Sequence, residues 1–185
     1  MNNKLLSLMA LSGLALASQS ALASDGTITF NGEVTAQTCS INGAVADGAR
    51  NITVTMPKAS QSSLAVLNST AGETAFAIAL TGCTPASGTV RTRFEPGSTV
   101  DQASGELITS GAGSTTSLRI QLLNSDRSVI VVGAPDASQN SIAQTIPAGG
   151  AVTLNYLARY KRASATPALG SGVVSSSVTY SLVYN

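Results

Sequence analysis

The sequence predicts an all-β protein built as an antiparallel β-sandwich. Apolar and polar residues alternate with a period of two in several segments, as they do in strands that bury one face. Turn-rich stretches such as TPASG, EPGS, GAPDAS and IPAGG separate these segments. Beyond the first 23 residues, no segment has a convincing helical period. Short alternating strands separated by frequent turns are typical of a sandwich.

The first 23 residues predict a secretory signal peptide. Lys4 precedes an apolar run from Leu5 to about Leu16, and the triplet ALA at 21–23 supplies small residues for cleavage. A membrane anchor needs about 20 predominantly apolar residues. Polar or small residues interrupt this run at Ser7, Ser12, Gly13 and Ser18. We therefore expect an exported protein that is cleaved after Ala23 and does not span a membrane.

The exported chain has no formal net charge. Cleavage removes 23 of 185 residues and leaves 162, a length that fits one domain with a real core. It also removes Lys4 from ten basic residues, which leaves nine against nine acidic residues. Nucleic acids and anionic membranes attract proteins with a concentrated positive field, so neither is an expected partner.

Cys39 and Cys83 are the only cysteines, and in an exported protein they predict one intramolecular disulfide. The chain-entropy model gives a bridge that closes a loop of roughly 44 residues about 4 kcal/mol of stability. A metal site is the alternative, but the sequence has no histidine and the two thiols are far apart. Such a ligand set is too poor for a zinc site.

The predicted strands follow one another along the chain in an order that leaves the first without an obvious hairpin partner. That first strand is TITFNGEVTA (27–36), with Ile28, Phe30, Gly32 and Val34 on one face. The later strands are TAFAIALTG (74–82), TVRTRF (89–94), SLRIQLL (117–123), SVIVVG (128–133), AVTLNYLARY (151–160) and SVTYSLVY (177–184). The first strand could therefore belong to its own sheet or to the sheet of another molecule.

The sequence offers little for catalysis. Without histidine the usual base for a serine or cysteine nucleophile is missing, and no G-x-S-x-G motif occurs. Arg91 and Arg93 alternate with Val90, Thr92 and Phe94 and are expected on a solvated strand face. Arg159, Lys161 and Arg162 are expected at a strand end, on a charged edge that discourages aggregation. We expect neither enzymatic activity nor a cofactor.

Several motifs together make the chain similar to the major subunits of chaperone-usher fimbriae, the type 1 pilin family. They are the signal peptide, TITFNGEVTAQTCSI, a second cysteine after FAIALTGC, YLARY followed by ATPALGSG, and a final VTYSLVYN. Tyr184, next to last, and Gly172, fourteenth from the end, match positions that this family uses. The resemblance covers essentially the whole chain after the signal peptide.

The resemblance implies an incomplete immunoglobulin-like β-sandwich that is completed by a donated strand. It divides the chain into a signal peptide (1–23), a donor extension (24–38) and a pilin domain (39–185). The donor extension would insert Ile28, Phe30 and Val34 into the groove of the next subunit, with Gly32 where the backbones approach closely. The alternative is that residues 27–36 pair within their own domain.

The resemblance also assigns the C-terminal strand to one wall of the acceptor groove and to chaperone binding. The residues concerned are Gly172, Val178, Tyr180, Leu182, Tyr184 and Asn185. The carboxylate of Asn185 would be held by basic residues of a periplasmic chaperone. No charged residue occurs in VVSSSVTYSLVYN, so nothing protects this strand edge from pairing.

By resemblance, the chain is a structural subunit of a surface fimbria that supports adhesion and polymerises head to tail. Its partners would be identical or related pilin subunits, the periplasmic chaperone and an outer-membrane usher. It would pass through the periplasm to the cell surface. The alternative is a minor tip or adapter subunit, or an adhesin that binds a host ligand. An adhesin of this family usually has a lectin domain before the pilin domain, and here the donor segment directly follows the signal peptide.

Overall fold

The architecture is that of a computed structural model, which describes residues 38–41 and 51–185. The strands are β1 (Thr38–Ile41), β2 (Thr70–Thr84), β3 (Thr89–Phe94), β4 (Val100–Asp101), β5 (Glu106–Ile108), β6 (Leu118–Asn124), β7 (Gln144–Thr145), β8 (Val152–Arg162) and β9 (Tyr180–Tyr184). Two 3₁₀ helices span Gln61–Leu64 and Asp136–Ser138. None of the helices in the described ranges is long and apolar enough to cross a membrane. The predicted signal peptide and the strand at 27–36 lie outside these ranges.

The strands form two antiparallel sheets. The larger sheet has six strands in the order β1-β2-β8-β6-β5-β4, and the smaller has three in the order β7-β3-β9. Every pair of neighbouring strands is antiparallel. The prediction of an all-β, antiparallel protein is therefore confirmed.

The core lies between the inner faces of these sheets, where alternate residues of each strand point. Tyr156 of β8 packs against Phe94 of β3 edge to face, with ring centroids 5.3 Å apart. Its ring centroid is also 5.5 Å from that of Phe76 in β2. Ile78 and Leu80 follow Phe76 at two-residue steps and are fully buried. The period of two predicted for β2, β3 and β8 thus identifies their core faces.

The prediction of a strand at SVIVVG (128–133) is wrong. Ile130 and Val132 are buried, as a core strand would require. Their backbone N–H groups, however, donate to different parts of the fold, Ile130 to Leu122 and Val132 to Gly105. The only strand-like pairing of this segment is an isolated bridge between Val129 and Leu123. The apolar run reflects burial of a connecting segment and not membership of a sheet.

Arg159, Lys161 and Arg162 lie at the end of a strand, β8, as predicted, but the prediction of a charged sheet edge there is wrong. These residues belong to β8, which lies between β2 and β6 in the interior of the larger sheet. Arg159 and Lys161 point to its outer face, where Arg159 binds Gln121 of the neighbouring strand β6 and Lys161 binds Glu106 of β5, one strand further on. Arg162 is buried and donates to backbone carbonyl groups of the following loop. The basic cluster therefore links strands instead of protecting an edge.

A disulfide joins Cys39 of β1 to Cys83 of β2, the pairing expected from the sequence. The two strands are neighbours, with Thr38 opposite Thr84 and Ile41 opposite Leu80. β1 is only four residues long and lies at the edge of the larger sheet. The bridge therefore fixes β1, which is an edge strand of the larger sheet as the described residues form it.

Candidate functional site

An apolar groove of about 940 Å³ runs along the sandwich between the two sheets. Its lining residues are Thr38, Cys39, Ile41, Asn51, Ile52, Val54, Met56, Phe76, Ile78, Phe94, Leu107, Ile120, Leu122, Ala158, Ser176, Ser177, Val178, Thr179, Tyr180, Ser181, Leu182 and Tyr184. None of these described residues carries a charge. No group of three or more potential metal-ligating side chains occurs in the described part of the chain. The groove is therefore suited to an extended, apolar segment.

The floor of the groove is the hydrophobic core itself. Ile78, Ile120, Leu122 and Ala158 come from three strands of the larger sheet, and each is buried. Phe94 enters from β3 of the smaller sheet and is 2% exposed. A segment placed in the groove would thus contact side chains from both sheets.

The C-terminal segment forms one wall and crosses from the larger sheet to the smaller one. Ser175 and Ser110 exchange two backbone hydrogen bonds of 2.8 and 2.9 Å, which attach the segment beside β5. The Ser176 hydroxyl donates to the carbonyl of Ile108 at 2.7 Å. Beyond this point the chain leaves the larger sheet and pairs with β3 as β9. The wall therefore extends from Ser176 to Tyr184.

β9 is the outer strand of the smaller sheet as formed by the described residues. Thr179 accepts a hydrogen bond from the backbone of Glu95, and Asn185 exchanges two with Thr89. In an antiparallel ladder alternate residues bond to the same neighbour. The backbone of Leu182, which lies out of phase with these residues, accordingly points away from β3. An outer strand of this kind is a template for an added strand.

Residues 51–57 form the opposite wall, which sequence reasoning missed. Ile52, Val54 and Met56 are half-buried and line the groove, whereas Thr53 and Thr55 between them are exposed. This is the alternation of a strand, yet the segment belongs to no strand of the described sheets. The period of two in NITVTMP is the signal that would have identified it.

The predicted wall residues are only partly brought together by the structure. Four of them line the groove: Val178, Tyr180, Leu182 and Tyr184. Asn185 does not, because it pairs with Thr89 at the end of the smaller sheet. Gly172 lies outside the groove, where its backbone packs against Ala112 and Gly113. Its φ of +134° and this close approach explain a glycine there. The predicted donor residues Ile28, Phe30, Gly32 and Val34 lie outside the described residues.

Charged groups occur on the outer face of the smaller sheet, away from the groove. Arg91 forms a bidentate ion pair with Asp136, and Nε of Arg93 lies 3.1 Å from Oε2 of Glu95. The hydrogen bond from Arg91 lowers the pKa of the Asp136 carboxyl. The hydrogen bond from Ser181 of β9, followed by that from Arg93, lowers the pKa of Glu95. The expectation of a freely solvated face for Arg91 and Arg93 is thus corrected to a paired one.

Comparison with known proteins identifies relatives along most of the chain. A family model described as FimA, type-1 fimbrial protein A, matches residues 56–185. The chain is 44% identical over 177 residues to the major fimbrial subunit SMF-1 of Stenotrophomonas maltophilia strain K279a, covering 93% of this chain and 99% of that protein. It is 40% identical over 178 residues to the F17 fimbrial protein of Escherichia coli, covering 92% and 94%.

Solved structures show the same fold. One is a chaperone-usher pilus whose structure concerns the basis of rod uncoiling, with a TM-score of 0.59, 26% identity, and coverage of 88% of this chain and 96% of that chain. The P pilus rod subunit PapA has a TM-score of 0.58 at 23% identity, covering 80% and 99%. The fold is therefore an incomplete immunoglobulin-like β-sandwich. On the family match and the two relatives of at least 40% identity, the chain is a structural fimbrial subunit and belongs to the type-1 fimbrial protein family.

Proposed function

We propose that this subunit polymerises head to tail by strand donation, with residues 27–36 of one copy filling the groove of the next. The observation that carries the proposal is an uncharged groove bordered by an outer strand, β9. A peptide that pairs with such a strand gains main-chain hydrogen bonds, while its alternate side chains enter the groove. A head-to-tail contact does not close on itself, so it propagates as a filament.

The proposed donor fits the groove in length and in pattern. Strands rise about 3.3 Å per residue, so the wall from Ser176 to Tyr184 extends about 26 Å. On the same scale, Ile28 to Val34 extends about 20 Å. Ile28, Phe30 and Val34 share one face, and Gly32 permits a close backbone approach. A groove without charged lining residues suits these apolar side chains.

The groove also supports a role for carriers during export. A subunit without a bound donor would expose the apolar floor of its groove beside a strand edge and would aggregate. A periplasmic chaperone would cover this edge, and an outer-membrane usher would release the subunit for assembly at the surface. We infer a filament-forming role without catalysis, and the relatives of this chain named as major and rod subunits favour the shaft over the tip.

The decisive experiment separates folding from assembly by changing the donor segment alone. Phe30→Asp should leave the subunit folded and bound to its chaperone but should prevent polymer formation. A carboxylate without a partner in an apolar groove costs several kcal/mol. The readout is the ladder of detergent-resistant multimers on an unboiled gel, together with chaperone co-purification.

Thr29→Asp is the matched control, because Thr29 lies on the opposite face of the donor and should tolerate the charge. A full ladder from Phe30→Asp would refute strand donation. Loss of chaperone binding in that variant would instead place residues 27–36 in their own domain. A self-complemented chain, with TITFNGEVTA repeated after Asn185 through a flexible linker, should melt at a higher temperature than the unmodified monomer.

A further inference from the structure

We propose that the body of the donating subunit covers an exposed apolar patch at one end of the groove. This end patch consists of Val66, Leu67 and Val173. The proposal rests on strand donation as proposed above and adds to it a second, side-by-side contact between the two folded bodies. The occupant is a second copy of this chain or a closely related pilin.

The end patch contains the most exposed large hydrophobic side chains among the described residues. Val173 is 78% exposed, Val66 70% and Leu67 50%. Single exposed apolar residues are common on proteins, but several at one end of a domain mark an interaction site.

Strand register places both sides of the end patch at the level of Ser176. Ile108 pairs with Arg119, Arg119 with Lys161, and Lys161 with Thr70, which makes one row across four strands. Ser176 is bound to the Ile108 end of this row. The Thr70 end directly follows the turn that carries Val66 and Leu67, which the hydrogen bond from Ser69 to Val66 closes.

The two halves of the end patch therefore flank the groove where it opens at Ser176. Val173 lies three residues before Ser176, where the C-terminal wall begins. The carbonyl of Val173 accepts a hydrogen bond from the N–H of Gly113. On the other side of the groove, the wall formed by residues 51–57 ends at Pro57. The ring of Pro57 lies 3.6 Å from the position that a Cβ on Gly72 would occupy. Gly72 is two residues beyond Thr70, and so this wall ends near Val66 and Leu67.

The short connection between donor and body requires the two bodies to lie close together. The proposed donor ends at Ala36 and β1 begins at Thr38, so Gln37 alone separates them. An extended chain spans at most about 3.6 Å per residue, which limits the path from Val34 to Thr38 to about 14 Å. The donating body must therefore lie against the end of the groove through which its donor leaves.

The end patch indicates which end this is. β9 runs away from Ser176, so a donor that leaves the groove at Ser176 pairs antiparallel with β9. Among the described residues, the other exposed large hydrophobic side chains are Ile108, Val129, Val131 and Ile142. Ile108 shares the outer face of the larger sheet with Arg119 and Lys161, and Val129 bridges to Leu123. Leu123 pairs with Leu157 in the middle of the larger sheet, so Val129 is not at the groove end and supplies a control position.

The test is hydroxyl-radical footprinting of Leu67 in three species: the self-complemented monomer, the detergent-resistant dimer and the filament. The groove is filled in the monomer as well, so any change at Leu67 reports contact between bodies. We expect its oxidation rate in the dimer to fall to about half of the monomer rate, because one of two copies is covered. In filaments it should fall at least five-fold. The rate at Ile142, whose N–H donates to Asn124 at the end of β6 farther from Arg119, should stay in the dimer within 1.5-fold of the monomer rate.

Leu67→Asp supplies a second measurement. It should leave the melting temperature of the self-complemented monomer unchanged and make dimers dissociate at least five-fold faster on heating, whereas Val129→Asp should not. Equal Leu67 oxidation in monomer and dimer would overturn the proposal, as would dimers of Leu67→Asp that dissociate like the wild type. Strand donation would still stand in either case if Phe30→Asp abolished the ladder, and it would fall if the ladder persisted.

Discussion

Ser181 of β9 donates a hydrogen bond of 2.5 Å to the carboxylate of Glu95, which follows the end of β3. The same carboxylate accepts from Arg93 at 3.1 Å. Arg93 and Arg91 also face Asp136 in the second 3₁₀ helix. The groove wall is therefore held from behind by charged and polar groups on the outer face of the smaller sheet, while its groove side stays free of charge. Loss of these interactions would weaken the attachment of β9 to β3 and thus the wall that receives the donor.

We predict that acid weakens the attachment of β9 to β3. Hydrogen bonds lower the pKa of Glu95 and of Asp136 in the folded state. A carboxyl group with a lowered folded pKa contributes stability above its unfolded pKa, about 4 for Asp and Glu, and loses it as pH falls through the folded value. Asp136→Asn in the self-complemented chain should therefore destabilise by about 0.2 to 1 kcal/mol at pH 7. Urea unfolding should show this difference disappearing below about pH 4.

Glu95→Gln should resemble Asp136→Asn in its pH dependence. A stability difference between wild type and Asp136→Asn that stayed constant from pH 7 to pH 3 would contradict the assignment.

Alternation was sufficient to predict most of the sandwich and one wall of the site. The predicted strand at 89–94 coincides with β3, and the alternation of Val178, Tyr180, Leu182 and Tyr184 identified the groove side of the C-terminal segment. Periodicity reports which face is buried, and this property survives even where the neighbouring strand is absent.

What periodicity could not supply is the identity of each backbone partner. Ile130 and Val132 look like strand residues because they are buried, yet their N–H groups bind unrelated acceptors. Phe94 does belong to a strand, but a side chain takes the place of one of its backbone partners. The amide of Gln139 accepts from the N–H of Phe94 and donates to the carbonyl of Phe94. Gln139 is fully buried and stands in for a neighbouring strand. Single-residue substitutes of this kind leave no pattern in a sequence.

The second prediction concerns the disulfide. Cys39→Ser should destabilise the self-complemented chain by a few kcal/mol, because the bridge closes a loop of 44 residues in the unfolded chain. It should also impair assembly, since Cys39 and Ile41 of β1 line the groove. The measurements are the urea midpoint and thiol labelling, which should find no reactive thiol in the unreduced wild type. An unchanged urea midpoint in Cys39→Ser, or two reactive thiols in the wild type, would contradict it.

The third prediction tests whether the position of the C-terminal wall depends on close packing between the loops that contain Gly113 and Gly172. A Cβ on Gly113 would lie 2.5 Å from the carbonyl oxygen of Gly172, far inside normal contact. Gly113→Ala should therefore displace the segment that leads to Ser176 and destabilise the self-complemented chain by about 1 to 3 kcal/mol. Gly97→Ala is the control, because a Cβ there meets nothing within 4 Å. Equal thermal midpoints for the two variants would show that the loops can separate without cost.

The last prediction tests whether residues 51–57 are the second wall of the groove. Val54 is half-buried and lines the groove, whereas Thr55 is exposed on the other side of the segment. Val54→Asp should fold, because its carboxylate still reaches water in an unfilled groove, but an inserted donor would bury that charge at a cost of several kcal/mol. The multimer ladder should therefore be lost for Val54→Asp and retained for Thr55→Asp, and a self-complemented Val54→Asp chain should melt at a lower temperature than a self-complemented Thr55→Asp chain. If both variants gave full ladders, the donor would not contact this segment, and the acceptor site would consist of the C-terminal wall and the groove floor.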